Sequence, residues 1–336
     1  GLGMAHTCPD LSIGLNQGFK GILERVQTAK EKYTYLNNPV KTQYLQGLEY
    51  ICKSNIRFIK KYAKLSEELA VKINDLKEAE RFNKIADCCN NISENPPRNY
   101  YEAVQWIMFA ILFDRSVGHG NGYGRLDLYL IDFYKKDIIE NKIDREEARE
   151  LISEMYMKLR GHFFCVGGRN ERLEDATNEM SWIVLEAYDL IGDYNNLGVM
   201  WHSDMDKDFY IYACDILARH GQSIPVLANY DIMYEAELRN GIPHEHAWTV
   251  AYSGCQWFCI PGREFCDQDV NTYVAIDPMR RAINRANEEM VTDFEILYKY
   301  FEEEVHRTSK AFRNWKRGHD EYIGNLWPEM FTSLLC

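Results

Sequence analysis

The chain has no run of 18 apolar residues, so no membrane-spanning helix is expected in its 336 residues. It also lacks a basic patch. The densest stretch, Lys60, Lys61 and Lys64, reads as the wet side of a helix. With 39 basic against 51 acidic side chains the formal charge is −12, which argues against nucleic acid and anionic membrane surfaces as partners. The opening Gly1-Leu2-Gly3-Met4 has no basic region ahead of an apolar core and does not read as a signal peptide. The ten cysteines, at 8, 52, 88, 89, 165, 214, 255, 259, 266 and 336, form no regular framework. They read as mostly buried thiols of a reducing cytoplasm rather than as a disulfide scaffold.

Two familiar site patterns are missing as well. The glycines at 118, 120, 122 and 124 alternate strictly, so the dinucleotide spacing fails, and no Lys-Ser/Thr pair follows to make a phosphate loop. They read as a tight connector using positive φ. Cys255, Cys259 and Cys266 make C-x3-C-x6-C without a second pair, which does not fit zinc, and no bound metal is expected. The roles of Cys259 and Cys266 stay open.

What is present is a large core: 46 % of residues are hydrophobic and 13 % aromatic, too rich for disorder. Apolar residues recur at three- and four-residue spacing through 21–36 and 41–92, and Pro96-Pro97 ends that region. Further helices are expected over 100–113, 126–137 and 175–191. Asp144 with Glu147 resembles a capping box opening another. Near residue 195 the period changes. Leu197-Gly198-Val199-Met200-Trp201, then 225–228, then 247–252 read as strands, with helices over 207–219 and 232–240 between them. This order predicts parallel strands with crossover helices in one α/β fold over 1–336: outer helices over about 1–195, and strand/helix barrel structure over about 196–336. Reactive loops in such folds follow the carboxyl ends of strands. The loop after the third strand is Ser253-Gly254-Cys255-Gln256-Trp257, so chemistry is expected there.

Cys255 could be a hydrolase nucleophile if a histidine came near it in space. Against that, Gly254-Cys255 ends a strand rather than opening a helix, so lowering of the thiol pKa by a helix dipole is unsupported. His244-Glu245-His246 reads as a surface helix start, and Trp201-His202 as a strand end where a histidine is either buried or in a site. Glu264, Asp267 and Asp269 follow closely and could supply an acid or base, or solvate a loop.

Several segments, in order, resemble the pyruvate formate-lyase-like family of glycyl radical enzymes. They are Ala5-His6-Thr7-Cys8-Pro9-Asp10 with Gly18-Phe19-Lys20-Gly21-Ile22, and Asn95-Pro96-Pro97-Arg98 with Tyr101-Glu102-Ala103-Val104-Gln105. Gly124-Arg125-Leu126-Asp127-Leu128-Tyr129-Leu130 with Phe133-Tyr134-Lys135-Lys136-Asp137 follows. The stretches 197–202 and 221–231, and Tyr252-Ser253-Gly254-Cys255, complete the series.

The resemblance implies part of a ten-stranded α/β barrel surrounded by helices, in which a cysteine loop meets a glycine loop. The glycyl radical takes hydrogen from the cysteine, and the thiyl takes hydrogen from a small organic substrate. Cys255 matches that cysteine. His119, Arg125, His202, Trp257 and Glu264 are the candidate substrate-binding residues. The radical-bearing glycine lies outside this chain, which reads as an internal fragment, inactive alone. The implied partners are a radical SAM activating enzyme and, in the complete enzyme, a second copy as a homodimer.

Trp257 stands where many dehydratases and decarboxylases carry Glu, and Met200 where the family often has Arg. The reaction therefore stays unassigned among lyase, dehydratase and decarboxylase types of C–C or C–X cleavage in anaerobic metabolism. The alternatives are a succinate-adding synthase that forms C–C bonds, a cysteine hydrolase, or a non-catalytic scaffold.

Overall fold

The computed structural model describes residues 8–115, 121–159, 161–192, 196–254, 257–264 and 276–326. They fall into two compact units, one containing 8–264 and the other 276–326. Cys255, His119, Cys266, Asp267 and Asp269 lie outside the described residues.

The first unit opens with helices. α1 (Leu11–Tyr35) starts where Asp10 accepts the Ser12 N–H at 3.0 Å. It is kinked at Gly18, φ 64°, where a side chain would strike the backbone of Glu94 and Asn95. The approach lets Lys20 N–H reach Glu94 O at 2.8 Å. The expected helical stretch 41–92 is two helices, α2 (Pro39–Lys72) and α3 (Leu76–Ile92), the second capped by Asp75. α4 (Tyr100–Arg115), α5 (Leu126–Ile139) and α6 (Arg145–Lys158) follow. The Asp144 capping box is present in both halves: Asp144 accepts from Glu147 N–H at 2.8 Å, and Glu147 from Asp144 N–H at 3.0 Å.

The sheet has four parallel strands in sequential order: β1 (Gly122–Arg125), β2 (Phe163–Gly167), β3 (Asn196–Trp201) and β4 (Val226–Asn229). α5 and α6 connect the first pair, α7 (Glu179–Ile191) the second, and α8 (Lys207–His220) the third. β3 and β4 stand where the alternation predicts them. β1 and β2 do not: 122–125 reads in sequence as the end of a glycine connector, and 163–167 gave no strand signal. Glycine is a poor strand former, but here the face it presents has to be bare.

Alternation divides the sheet cleanly. Phe164, Val166, Leu197 and Val199 join the large cluster formed with the helices. Cys165 and Met200 point to the other face and join a second cluster with Tyr230, Met233, Val250, Ala251, Tyr252 and Ile260. Each fully buried side chain of this size contributes about 1.5–3 kcal/mol, so both faces hold the sheet.

The predicted strand 247–252 is corrected. Residues 244–247 form a short helix, α10 (His244–Ala247), opened by Pro243. Only Ala251 and Tyr252 are strand, β5, and they pair antiparallel with β6 (Phe258–Cys259) instead of joining the parallel sheet. The short alternation misled because Thr249 Oγ1 turns back to His246 O at 2.7 Å and closes the helical turn.

In the second unit α11 (Ile276–Glu288) lies against α12 (Phe294–Leu326). Ala282, Ala286 and Tyr300 form its core, and Arg281 reaches Glu304 at 2.7 Å. Among the described residues no helix is long and apolar enough to cross a membrane.

Candidate active site

The cysteine-bearing hairpin is seated on the bare side of the sheet. At Gly122 a side chain would collide with Tyr252 O, and at Gly198 it would sit 2.9 Å from the Tyr252 ring. Two strands are thus stripped of side chains where β5 crosses them. The backbone of Tyr252 is then gripped from both sides. Its N–H donates to Cys165 Sγ at 3.2 Å, and Cys8 Sγ lies 4.0 Å from its carbonyl. Burial pushes the Cys165 thiol up to about 12, so it is a neutral acceptor here. Cys8 packs against Cys259 on β6.

The hairpin continues one further rung, with Ser253 N–H donating to Trp257 O at 2.7 Å. Ser253 is fully buried and Gly254 has φ 93°. Cys255 and Gln256 are the two residues between these described flanks.

At the carboxyl ends of the strands a polar cluster forms. Arg125 ends β1, is 3 % exposed, and spends its guanidinium on backbone carbonyls: Gly167 O at 3.1 Å, Arg169 O at 2.7 Å and Trp248 O at 2.9 Å. It also lies over the rings of Tyr230 and Trp248. Arg125 therefore ties two strand ends to the segment that leads into the hairpin. Burial holds its pKa below the ordinary value.

Asp127, two residues on, is buried and accepts from Gly167 N–H at 2.8 Å, Leu128 N–H at 2.9 Å and Ser181 Oγ at 2.5 Å. Burial raises its carboxyl, while these bonds and Arg125 oppose the rise. The loop ends of β2 are Gly167 and Gly168, both at positive φ; a side chain on Gly168 would sit 2.8 Å from Arg125 Nη1.

His202 follows β3 and is fully buried. Its Nε2 faces two acceptors, Gly168 O at 3.1 Å and Asp175 Oδ1 at 3.2 Å, so the proton belongs on Nε2. Nδ1 has no hydrogen-bond partner among the described residues. Tyr230 lies edge-on to the His202 ring at 6.5 Å, close to Arg125 as well.

Arg125 and His202 are thus brought together around Gly167 and Gly168. Trp257 is on the hairpin flank, 55 % exposed. Glu264 is elsewhere, in the turn after β6: its Oε2 accepts the Ile260 N–H at 2.7 Å, and it meets Glu237 of α9 (Tyr230–Arg239).

Nothing in the sequence pointed to Cys165, Tyr230, Trp248 or Glu237. Only Asp127 carried a signal, as an acid in the first turn after Gly124-Arg125. Among the described residues no group of three or more His, Cys, Asp or Glu could hold a metal ion.

A parallel sheet with helices outside and a cysteine hairpin laid on its inner face is a glycyl radical enzyme barrel in part. The profile of the family described as pyruvate formate lyase-like matches residues 2–336, and the chain belongs to that family.

Among curated proteins it is similar to an isethionate sulfite-lyase of Oleidesulfovibrio alaskensis, 28 % identical over 74 % of this chain and 33 % of the relative. Among solved structures it is similar to the B12-independent glycerol dehydratase of Clostridium butyricum. The TM-score is 0.81 at 24 % identity, over 92 % of this chain and 43 % of that one. A glycyl radical enzyme from Archaeoglobus fulgidus superposes with a TM-score of 0.76 at 22 % identity, over 84 % of this chain and 39 % of that one. The chain spans about a third of the length of the curated relative.

Proposed function

We propose that this chain is the cysteine-bearing part of a glycyl radical lyase or dehydratase, with Cys255 as the hydrogen-atom carrier. The observation that supports it most is the seat of the hairpin: two glycine strands, a buried Ser253 and two thiols fixing the Tyr252 peptide immediately before Cys255. A thiol that passes a hydrogen atom needs a dry place and a fixed reach, not a thiolate. The family's glycyl radical, on a glycine outside these residues, supplies one-electron chemistry. This chain's part is to hold the thiol and to orient a small substrate.

His202 fits the second task. With its proton on Nε2 and Asp175 behind it, the imidazole offers the Nδ1 lone pair to a substrate hydroxyl, a hydrogen-bond acceptor in a water-poor setting. Arg125 we assign to positioning, because three of its N–H groups already go to backbone carbonyls that tie the strand ends together. Trp257, two residues after Cys255, would wall the substrate where many relatives place a carboxylate. His119 is a further candidate, whereas Glu264, whose Oε2 is taken by the Ile260 N–H in the turn after β6, is not brought to Arg125 and His202. The reaction class is cleavage of a C–C or C–heteroatom bond. A radical SAM activating enzyme and a second copy of the complete enzyme are the proposed partners.

The test is radical spectroscopy and turnover on the complete enzyme, activated anaerobically. Cys255→Ala is expected to keep the glycyl radical signal and abolish turnover, while this chain alone gives neither. Turnover retained in Cys255→Ala would end the assignment.

A further inference from the structure

One buried acid has no part in the mechanism above. On α9 the positions Tyr230, Met233 and Glu237 are buried together at helical spacing. The first two pack on the hairpin within the inner cluster. Glu237 therefore occupies a core-facing position, 2 % exposed, where an apolar residue would be expected. Its Oε2 is out of solvent with no donor directed at it. Its carboxyl is in hydrogen-bond contact with the Glu264 carboxyl and the Asn240 side chain. Ionised carboxylates only accept hydrogen bonds, so two of them in contact need a proton between them.

No neighbouring cation replaces that proton among the described residues. On α9, Arg239 pairs with Glu235, and Asp231 is held by Arg169. On α10, which packs against α9, Glu245 pairs with His246. His244 bonds the Tyr234 hydroxyl and Glu171 O. Arg263, beside Glu264, is exposed.

Glu264 is also the tie of the hairpin's return. Its Oε2 accepts from Ile260, the buried residue directly after β6, and the same turn sends Gly262 N–H to Cys8 O at 2.7 Å.

We propose that Glu237 and Glu264 share one proton as a latch that fastens the cysteine hairpin to α9, closed while the proton is held and loosened when it is lost. Burial first, and the Glu264 charge second, raise Glu237 to about 7, which places the release near neutrality. Above that, two carboxylates oppose each other in a dry contact. Ile260 and β6 are the first structure to give. The consequence for catalysis rests on the assignment of Cys255 made above. The latch itself is read on the hairpin without activation, so failure of that assignment leaves the measurement intact.

Deuterium uptake of peptides covering 251–264, corrected for intrinsic exchange, is expected to rise several-fold between pH 6 and pH 8.5, while α4 peptides stay unchanged. Glu237→Gln, whose amide can still donate to Glu264, is expected to keep the low uptake at both pH values. Glu264→Gln is the second variant. Flat uptake in the unmodified chain overturns the latch, and so does a step that survives in whichever glutamine variant folds. Carboxyl 13C titration is independent of both variants: a Glu237–Glu264 pair with no carboxyl step above the ordinary carboxylate range also overturns it.

Discussion

His162 is a buried base in a place where nothing bonds it. It is 4 % exposed, both ring nitrogens lack a hydrogen-bond partner among the described residues, and its ring stands edge-on to Tyr123 at 5.4 Å. Burial, and then the charge of Arg115, lower its pKa to about 4. A lowered histidine is neutral in the fold and takes a proton on unfolding. Stability is therefore complete above the unfolded value near 6.5 and falls as pH drops toward 4. The full shift corresponds to at most about 3 kcal/mol. His162→Phe keeps a ring against Tyr123 and removes the titration. Between pH 4.5 and pH 7 the gain in stability read by denaturant melts is expected to be larger in the parent than in the variant by up to that amount.

Glu237 works in the opposite sense. Its raised carboxyl binds a proton that the unfolded chain has already released, so its contribution falls as pH rises from about 4.5 to about 7. Neither group could be weighed from sequence, because a lone His or Glu in a helix-and-strand pattern does not disclose which neighbours bury it.

At the scale of elements, legibility followed periodicity. α5, α6, α8 and α9 begin and end near their predicted bounds because apolar spacing and caps agree, and β3 and β4 because their alternation is flanked by turns. The Asp144 capping box is the clearest case. Asp144→Ala leaves Glu147 N–H without its acceptor and is expected to cost about 1 kcal/mol in thermal or denaturant unfolding. β1, β2 and the β5–β6 hairpin were not legible. Glycines at 122 and 124 suppress the strand signal of β1, and β2 is buried on both faces and so shows no alternation. The hairpin depends on contacts of Tyr252 with Gly198, Cys165 and Gly122, which are 54, 87 and 130 positions away and which no local pattern reports. The loop at 253–257 was singled out from the segment Tyr252-Ser253-Gly254-Cys255, whose Cys255 lies outside the described residues. Its neighbours Cys165, Tyr230 and Trp248 were not, because each belongs to a different strand or helix.

Across the whole molecule, the same sheet meets two different demands, ordinary side-chain packing outside and close backbone approach inside. Gly122 contrasts with Gly47, a glycine of α2 outside the sheet. A methyl group at 47, on an exposed helix face with nothing within 4 Å, is expected to stabilise α2 by up to about 1 kcal/mol. A methyl group at 122 has only the Tyr252 carbonyl to enter, and Gly122→Ala is expected to lower the unfolding midpoint and raise exchange across 251–254. The bare seat thereby sets a limit on divergence. In a library sampling every substitution, positions 122 and 198 would read as blanks even for alanine, while the side chains around them could vary more freely. Lineages built on this floor can change what surrounds the hairpin far more readily than they can move the hairpin itself.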